Sequence, residues 1–369
     1  MTDDPDYGIA DVVDLEQTDA PLYPYAPRDP PDYDPGIALI GTGGISEQHL
    51  AAYTEAGYDV VALCNRTLEK ADRRAAEFDL EDAAIYADYQ AVLERDDVDI
   101  VDVTPHPPQR VPIVADAIRA GKHVLSQKPF AEDLDTATNL VSLADEHEVR
   151  LAVNQNGRWA PHFSYLRHAV ADGLIGDVHG VHCAVHWDHN WIGETPLDAV
   201  EHIILYDFAI HWFDIVTCLF DRLPERVFAT HGRSPSQCAS PPLLGGAILE
   251  YEDARATLTF DGDTPLGPTD RTIVTGGAGT LRSDGPDLEE QSVTVFTKDG
   301  YATPALRGSW FREGFHGTMA ELCCAIAEDR EPAHSGANNL RTLALTFAAV
   351  ASAERGRPVT PGDVRSLPG

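Results

Sequence analysis

The stretch Ile37-Ala38-Leu39-Ile40-Gly41-Thr42-Gly43-Gly44-Ile45-Ser46 constrains the fold more than any other part of the chain, because an apolar strand ends there in a glycine turn that opens a helix. Such a turn suits a phosphate. Gly41 lets the chain reverse tightly, Gly43 lets backbone approach a pyrophosphate, and Ser46 stands where a third small residue permits close helix-to-strand packing. Thr42, Gly44 and Ile45 complete the turn, and the first helical N–H groups then face the anion. Asp59 to Asn65 reads as a second strand after an amphipathic helix, at the separation a βαβ unit requires.

From Ile37 to about Val153 the pattern keeps alternating. Strands are expected at Ile37–Ile40, Val60–Asn65, Ile100–Thr104, His123–Ser126 and Arg150–Val153, with helices between them, which is the signature of a doubly wound parallel sheet. Ligands in such sheets lie beyond the carboxyl ends of the strands. After Arg158 short alternating strands follow two helices, and two more helices close the chain. The fold class is therefore an α/β N-terminal Rossmann domain (36–155) plus an α+β C-terminal domain (156–369) with an open, mostly antiparallel sheet, a late helix returning to the first domain. Residues 1–35 carry ten acids, one basic residue, seven prolines and four tyrosines, too little apolar matter for a core. They read as an arm whose Tyr23-Pro24-Tyr25 and Pro30-Pro31-Asp32-Tyr33 are anchors able to lie across a neighbouring subunit.

Charge narrows the partners. The 369 residues hold 27 Lys plus Arg against 60 Asp plus Glu, a net charge of −33. Only Lys70, Lys122, Lys128 and Lys298 are lysines. Such a surface repels nucleic acid and anionic membrane, and in dilute salt it repels itself. Multimolar salt shortens screening to about 3 Å or less, so the composition reads as halophilic. No run reaches the roughly 18 apolar residues of a membrane span, Met1-Thr2-Asp3-Asp4 lacks the positive start of a signal peptide, and the six cysteines show no C-x-x-C spacing. A cytoplasmic protein with free thiols is expected.

The Gly41–Ser46 turn, Lys128-Pro129 after the strand His123–Ser126, and Asp207-x-x-x-His211 on a helix of the second domain together resemble the glucose-fructose oxidoreductase / inositol dehydrogenase (Gfo/Idh/MocA) family. The resemblance spans about Ile37 to Glu354. It implies an NAD(P)-dependent oxidoreductase moving a hydride between a nicotinamide and a sugar or polyol, in a homo-oligomer (dimer or tetramer) joined through the C-terminal sheet. Lys128 matches the family's catalytic lysine, with Gln127 where the family has Glu, and Arg110 stands where many members have His. His211 is the implied proton acceptor. Asp207, one helical turn earlier, is placed to orient that imidazole, and Asp214 follows one turn beyond.

Asn156-Gly157-Arg158-Trp159-Ala160-Pro161 resembles the family's interdomain segment, making Asn156 and Arg158 candidate ligands for hydroxyls or caps of the next helix. Trp187 and Trp191 are candidate sugar-pocket walls, or core or subunit contacts. Trp310-Phe311 and Phe315-His316 read as core packing. Thr104, His106 and Gln127 stand at strand ends facing the cofactor. At the end of the second strand Asn65-Arg66 replaces the acid that would bind an adenosine ribose and repel a 2′-phosphate, which favours NADP over NAD. His179, His182, His186 and His189 alternate between strand faces without a repeating carboxylate, so no metal site is expected there. Two rivals stand beside the dehydrogenase reading: a nucleotide- and sugar-binding sensor of the same fold, and a lyase or glycosidase using the nicotinamide transiently. The charge balance makes a direct prediction: the melting temperature should rise between dilute buffer and molar KCl, and an unchanged value would overturn the halophile reading.

Overall fold

The computed structural model describes residues 14–367, so the first 13 residues of the acidic arm lie outside it. The first half runs β1 (Ile37–Ile40), α1 (Ser46–Ala56), β2 (Val60–Cys64), α2 (Leu68–Glu77), β3 (Ala84–Tyr86), α3 (Tyr89–Leu93), β4 (Ile100–Val103), α4 (Pro107–Arg119), β5 (His123–Gln127), α5 (Leu134–Glu146) and β6 (Leu151–Asn154). Six strands form one sheet in the order β3-β2-β1-β4-β5-β6, and each neighbouring pair is parallel. Helices cover both faces, which is why β1, β4 and β6 are buried at every residue and read as continuous runs. The strand order reverses between β1 and β4, so the Gly41 turn lies at the crevice where doubly wound sheets bind ligands. The short edge strand β3 escaped the sequence reading because its three residues are only half-buried and carry no alternation.

A 3-10 turn at Asn156–Trp159 leads into α6 (Pro161–Ala171) and β7 (Val178–His186). Two further 3-10 turns and a π-helical turn at Ile204–Phe208 precede α7 (Ile210–Phe220). Then come β8 (Arg226–Gly232), β9 (Leu244–Glu250), β10 (Arg255–Asp261), β11 (Thr269–Gly276), β12 (Gly279–Gly285), β13 (Ser292–Thr297), β14 (Gly300–Ala302), α8 (Arg312–Ala327) and α9 (Gly336–Arg355). Eight strands form an open sheet in the order β14-β13-β12-β11-β7-β10-β9-β8. Only β7 and β10 pair in parallel. Helices α6, α7 and α9 pack on this sheet. On β8 and β9, Phe228 and Ile248 are cross-strand partners, 38% and 41% exposed.

The last two helices both return to the first domain. Phe315, Met319, Leu322 and Cys323 of α8 share a core with Leu50 and Tyr53 of α1, while α9 packs on α5 and β6. A boundary at residue 156 thus divides the sequence but not the space: the Rossmann core is completed by the chain's far end. The described part of the arm also lies on its own chain, where the sequence suggested a neighbour. Glu16 to Thr18 pair with Tyr301, the Tyr23 ring meets Tyr165 at 5.2 Å and its hydroxyl donates to Asp172, and Asp29 accepts from Tyr58 and lies 2.9 Å from His316. The arm therefore straps the second sheet, α6, α8 and the first domain together.

One buried ion pair ties the 3-10 turn after β6 to the second domain. Arg158 Nε and Nη2 donate to the two carboxylate oxygens of Asp214 on α7, each at 2.6 Å, and the two side chains are 3% and 1% exposed. The remaining donor capacity goes to Ala333 O and Asn338 Oδ1, and Thr342 donates to Asp214. Removing one member of such a pair strands an uncompensated charge. Asp214→Asn should therefore cost about 3–5 kcal/mol in urea unfolding measured in molar KCl, and a loss below about 1 kcal/mol would show that the pair does not hold the domains.

Candidate active site

The glycine turn is built for close approach. Gly41 has a φ of +102°, where side chains are strained, and a Cβ there would lie 2.5 Å from Thr104 Oγ1. Thr104 uses that hydroxyl to donate to Gly41 O at 2.6 Å, which fastens the turn to the end of β4. Gly43 and Gly44 face open space, where a Cβ would meet no atom within 4 Å. Ser46 is fully buried and donates to Gly43 O at 2.6 Å, which closes the turn onto the first residue of α1. Thr42 through Ile45 direct backbone N–H groups that find no acceptor among the described residues, at the start of α1. This cradle fits a dinucleotide's pyrophosphate. Beside it, Asn65 Nδ2 donates to Thr42 Oγ1 and Asn65 Oδ1 accepts from Thr67 N, while Arg66 is exposed and forms no ion pair among the described residues. His106 is exposed at the N-terminus of α4.

Lys128 follows β5, and its Nζ reaches across to the second domain. It donates to Asp207 O at 2.8 Å and to Asp207 Oδ2 at 3.1 Å. Asp207 lies in the π-helical turn, where Ala209 N bonds back to Ile204 O, and π-bulges of this kind are frequent at functional sites. The turn corrects the expectation for Asp207: its carboxylate holds Lys128 rather than the His211 imidazole, because the spacing is no longer that of a regular α-helix. His211, in the first turn of α7, stands edge-on to Trp310 at 5.3 Å and to Trp212 at 6.4 Å. Its Nδ1 is enclosed without a partner among the described residues. Burial first, and the Lys128 cation second, hold its pKa well below the usual histidine value, so the ring is neutral at pH 7.

Other expected site residues are placed differently. Gln127, expected among the cofactor contacts, turns inward: its Oε1 accepts from Lys128 N at 2.6 Å and its Nε2 lies 3.4 Å from His49 Nε2. Arg158 spends its donors in the ion pair described above, so it cannot serve a substrate hydroxyl. Asn156 is 3% exposed beneath Gly314, with its amide 3.4 Å from Trp310 O, and is likewise withdrawn. Trp187 packs on Phe208, Trp212 and His189, with its indole N–H enclosed. Trp191 is 57% exposed and donates to His189 Nδ1, leaving its ring at the surface. The structure thus brings Lys128, Asp207 and His211 together and removes Gln127, Asn156 and Arg158 from direct contact.

Sequence reasoning missed the layer below. His49 Nδ1 lies 2.6 Å from Asp102 Oδ2, Tyr53 donates to the same oxygen at 2.7 Å, and Asn154 Nδ2 lies 3.3 Å from His49 Nε2. A signal existed: Asp102 is the acid in the otherwise apolar strand Ile100–Val103, and His49 and Tyr53 stand four apart on α1. Arg110, 1% exposed, donates to Lys128 O at 3.3 Å and to Pro129 O, and burial pulls its pKa down to about 10. It positions the segment that carries Lys128.

A Rossmann sheet with a glycine cradle at its switch point, joined to a second domain whose π turn and α7 supply an acid and a histidine, defines a nicotinamide-type oxidoreductase architecture. Two family models match: the oxidoreductase family, NAD-binding Rossmann fold over residues 36–155, and the GFO/IDH/MocA C-terminal domain over residues 163–282. The chain belongs to the Gfo/Idh/MocA oxidoreductase family. A D-apiose dehydrogenase of Paraburkholderia graminis is 29% identical over 342 residues, covering 87% of this chain and 88% of that protein. An inositol 2-dehydrogenase of Rhizobium meliloti is 24% identical, covering 88% and 98%. In fold, the chain matches an Agrobacterium radiobacter oxidoreductase solved with NAD+, L-tartaric acid and magnesium, with a TM-score of 0.80, 23% identity and coverage of 89% and 99%.

The pairing of Lys128 with the His211 environment can be read directly. Lys128→Met removes a like charge from beside the imidazole and frees the Asp207 carboxylate, and both changes favour the protonated ring. The His211 pKa, followed by NMR titration, should rise in this variant yet stay below the usual histidine value, because the burial that is the larger cause remains; an unchanged value would mean that the lysine does not act on His211.

Proposed function

We propose that this chain is an NADP-preferring dehydrogenase of sugar or polyol CH–OH groups, with Lys128, Asp207 and His211 as its catalytic residues. The observation that carries the reading is the meeting of Lys128 Nζ from one domain with Asp207 from the other, beside a neutral histidine. The nicotinamide supplies the hydride acceptor, or the donor in the reverse direction. Thr42 to Ile45 hold the pyrophosphate, and Thr104 and His106 border its path along the strand ends. His211 accepts the hydroxyl proton as the carbon is oxidised. Lys128 stabilises the negative charge developing on the oxygen, and Asp207 fixes the lysine against the cleft. Trp191 offers an apolar ring to the C–H face of the substrate.

The preference for NADP rests on Asn65 and Arg66. Asn65 is held in place by Thr42 and adds no charge to repel a phosphate, and the unpaired Arg66 guanidinium is suited to a bidentate grip on the 2′-phosphate. Self-association through the outer face of the eight-stranded sheet belongs to the same reading, with the exposed Phe228–Ile248 pair at its β8–β9 edge. So does a reducing, cytoplasmic setting, since all six cysteines are free and four are buried. No helix among the described residues is long and apolar enough to cross a membrane.

Steady-state kinetics in high salt test the assignment. With aldoses and polyols as substrates, kcat/KM should favour NADP, and the Asn65→Asp, Arg66→Val double variant should shift the ratio toward NAD by about tenfold to a hundredfold, the worth of one charged contact. His211→Ala should lower turnover by roughly a hundredfold or more while cofactor binding stays near the parental value. Parental turnover in His211→Ala, or a native preference for NAD, would overturn the respective part.

A further inference from the structure

Outside the active site, one group of side chains has the composition and spacing of a metal centre. His202 lies between the 3-10 turn Pro196–Ala199 and the π-helical turn, His231 is on β8, and Glu354 is in the last turn of α9, and one ligand atom from each falls within 4.8 Å of the others. Glu354 Oε1 is 3.4 Å from His231 Nε2 and 3.7 Å from His202 Nδ1. Those separations are close to the ~3.3 Å edge of a tetrahedron whose metal–ligand bonds are about 2.0–2.1 Å. His202 is 5% exposed, and neither of its ring nitrogens has a hydrogen-bond partner among the described residues. A buried imidazole with two idle nitrogens, facing a carboxylate and a second imidazole stacked at 5.8 Å, is costly as an ordinary core residue and well suited to a cation.

The fold fixes the ligands before any ion arrives. Ala229 and His231 stand two apart on β8 and so share the face packed against α9. Ser352 donates to Arg357 O and accepts from Ala229 N at 2.9 Å, locking the last turn of α9, with Glu354, onto that strand. On the third side, His202 O accepts from Tyr206 N, which joins it to the turn bearing Asp207. We propose that His202, His231 and Glu354 bind a divalent transition metal of the zinc class, with water in the fourth position. Two imidazoles and a carboxylate suit zinc, and the absence of thiolate argues against a soft monovalent ion. Such an ion clamps the segment leading into the catalytic π turn to β8 and α9. It takes no part in hydride transfer.

The test uses the full chain in molar KCl after dialysis against EDTA. Addition of Co2+ should produce one equivalent of saturable binding with the intense visible bands of four-coordinate cobalt, Zn2+ should displace it, and Zn2+ should raise the melting temperature. His231→Gln and Glu354→Gln, at partly exposed positions, should each weaken Co2+ binding by more than the roughly ten- to hundredfold that loss of a second-shell partner causes. The Zn2+ rise in melting temperature should vanish in the double variant. Only weak six-coordinate absorption in the parent, or a parental titration that coincides with that of the double variant, would overturn the site. The parental spectrum decides the matter even if a variant folds poorly.

Discussion

The ion pair between Arg158 and Asp214 sets the relation on which the active site depends. Arg158 follows the last strand of the Rossmann sheet, and Asp214 lies one turn after His211 on α7, so their two 2.6 Å contacts fix α7 against the end of that sheet. Desolvation offsets much of the Coulombic gain of such a buried pair, and its stabilising value comes from complete hydrogen bonding. Here Ala333, Asn338 and Thr342 supply the remaining partners. All three come from the chain's last 40 residues. The final helix thus takes part in aligning residues that precede it by more than a hundred positions.

On the other side of the cleft, Lys128 is held from below. Arg110 takes the carbonyls of Lys128 and Pro129, and Gln127 takes the Lys128 amide, so the ammonium is aimed while its backbone is pinned. Replacing the family's Glu by Gln at position 127 removes a carboxylate from beside the lysine. A buried carboxylate remains one strand away: Asp102 is satisfied by His49 and Tyr53, and His49 is flanked by the Gln127 and Asn154 amides. Asp102 lies on the Nδ1 side of the ring, and the Gln127 and Asn154 amides face its Nε2.

The strap formed by the arm and the return of α8 and α9 address a single problem. A two-domain protein of net charge −33 must hold its parts together against their mutual repulsion. Aromatic and backbone contacts, such as Tyr23 on Tyr165 and the pairing of Glu16 to Thr18 with Tyr301, do not weaken with salt in the way exposed ion pairs do. Hydrophobic closure by Phe315, Met319 and Leu322 serves the same end.

Local sequence by itself determined the features that repeat over a few residues. The glycine turn, the buried parallel strands, the change to short alternating strands and the Lys-Pro after β5 were all legible, because each is a short-range pattern with a backbone or chemical cause. Tertiary structure alone decided where equally polar side chains point. Nothing local distinguishes Arg158, which finds Asp214 56 positions later, from an arginine left free for a substrate, nor reveals that Asp207 turns to Lys128 through a π turn rather than to His211. The arm's choice of its own chain, the cluster beneath Gln127, and the approach of His202, His231 and Glu354 are likewise products of packing. They join residues whose separation in sequence carries no periodic signal, and only the closed fold sets their distances.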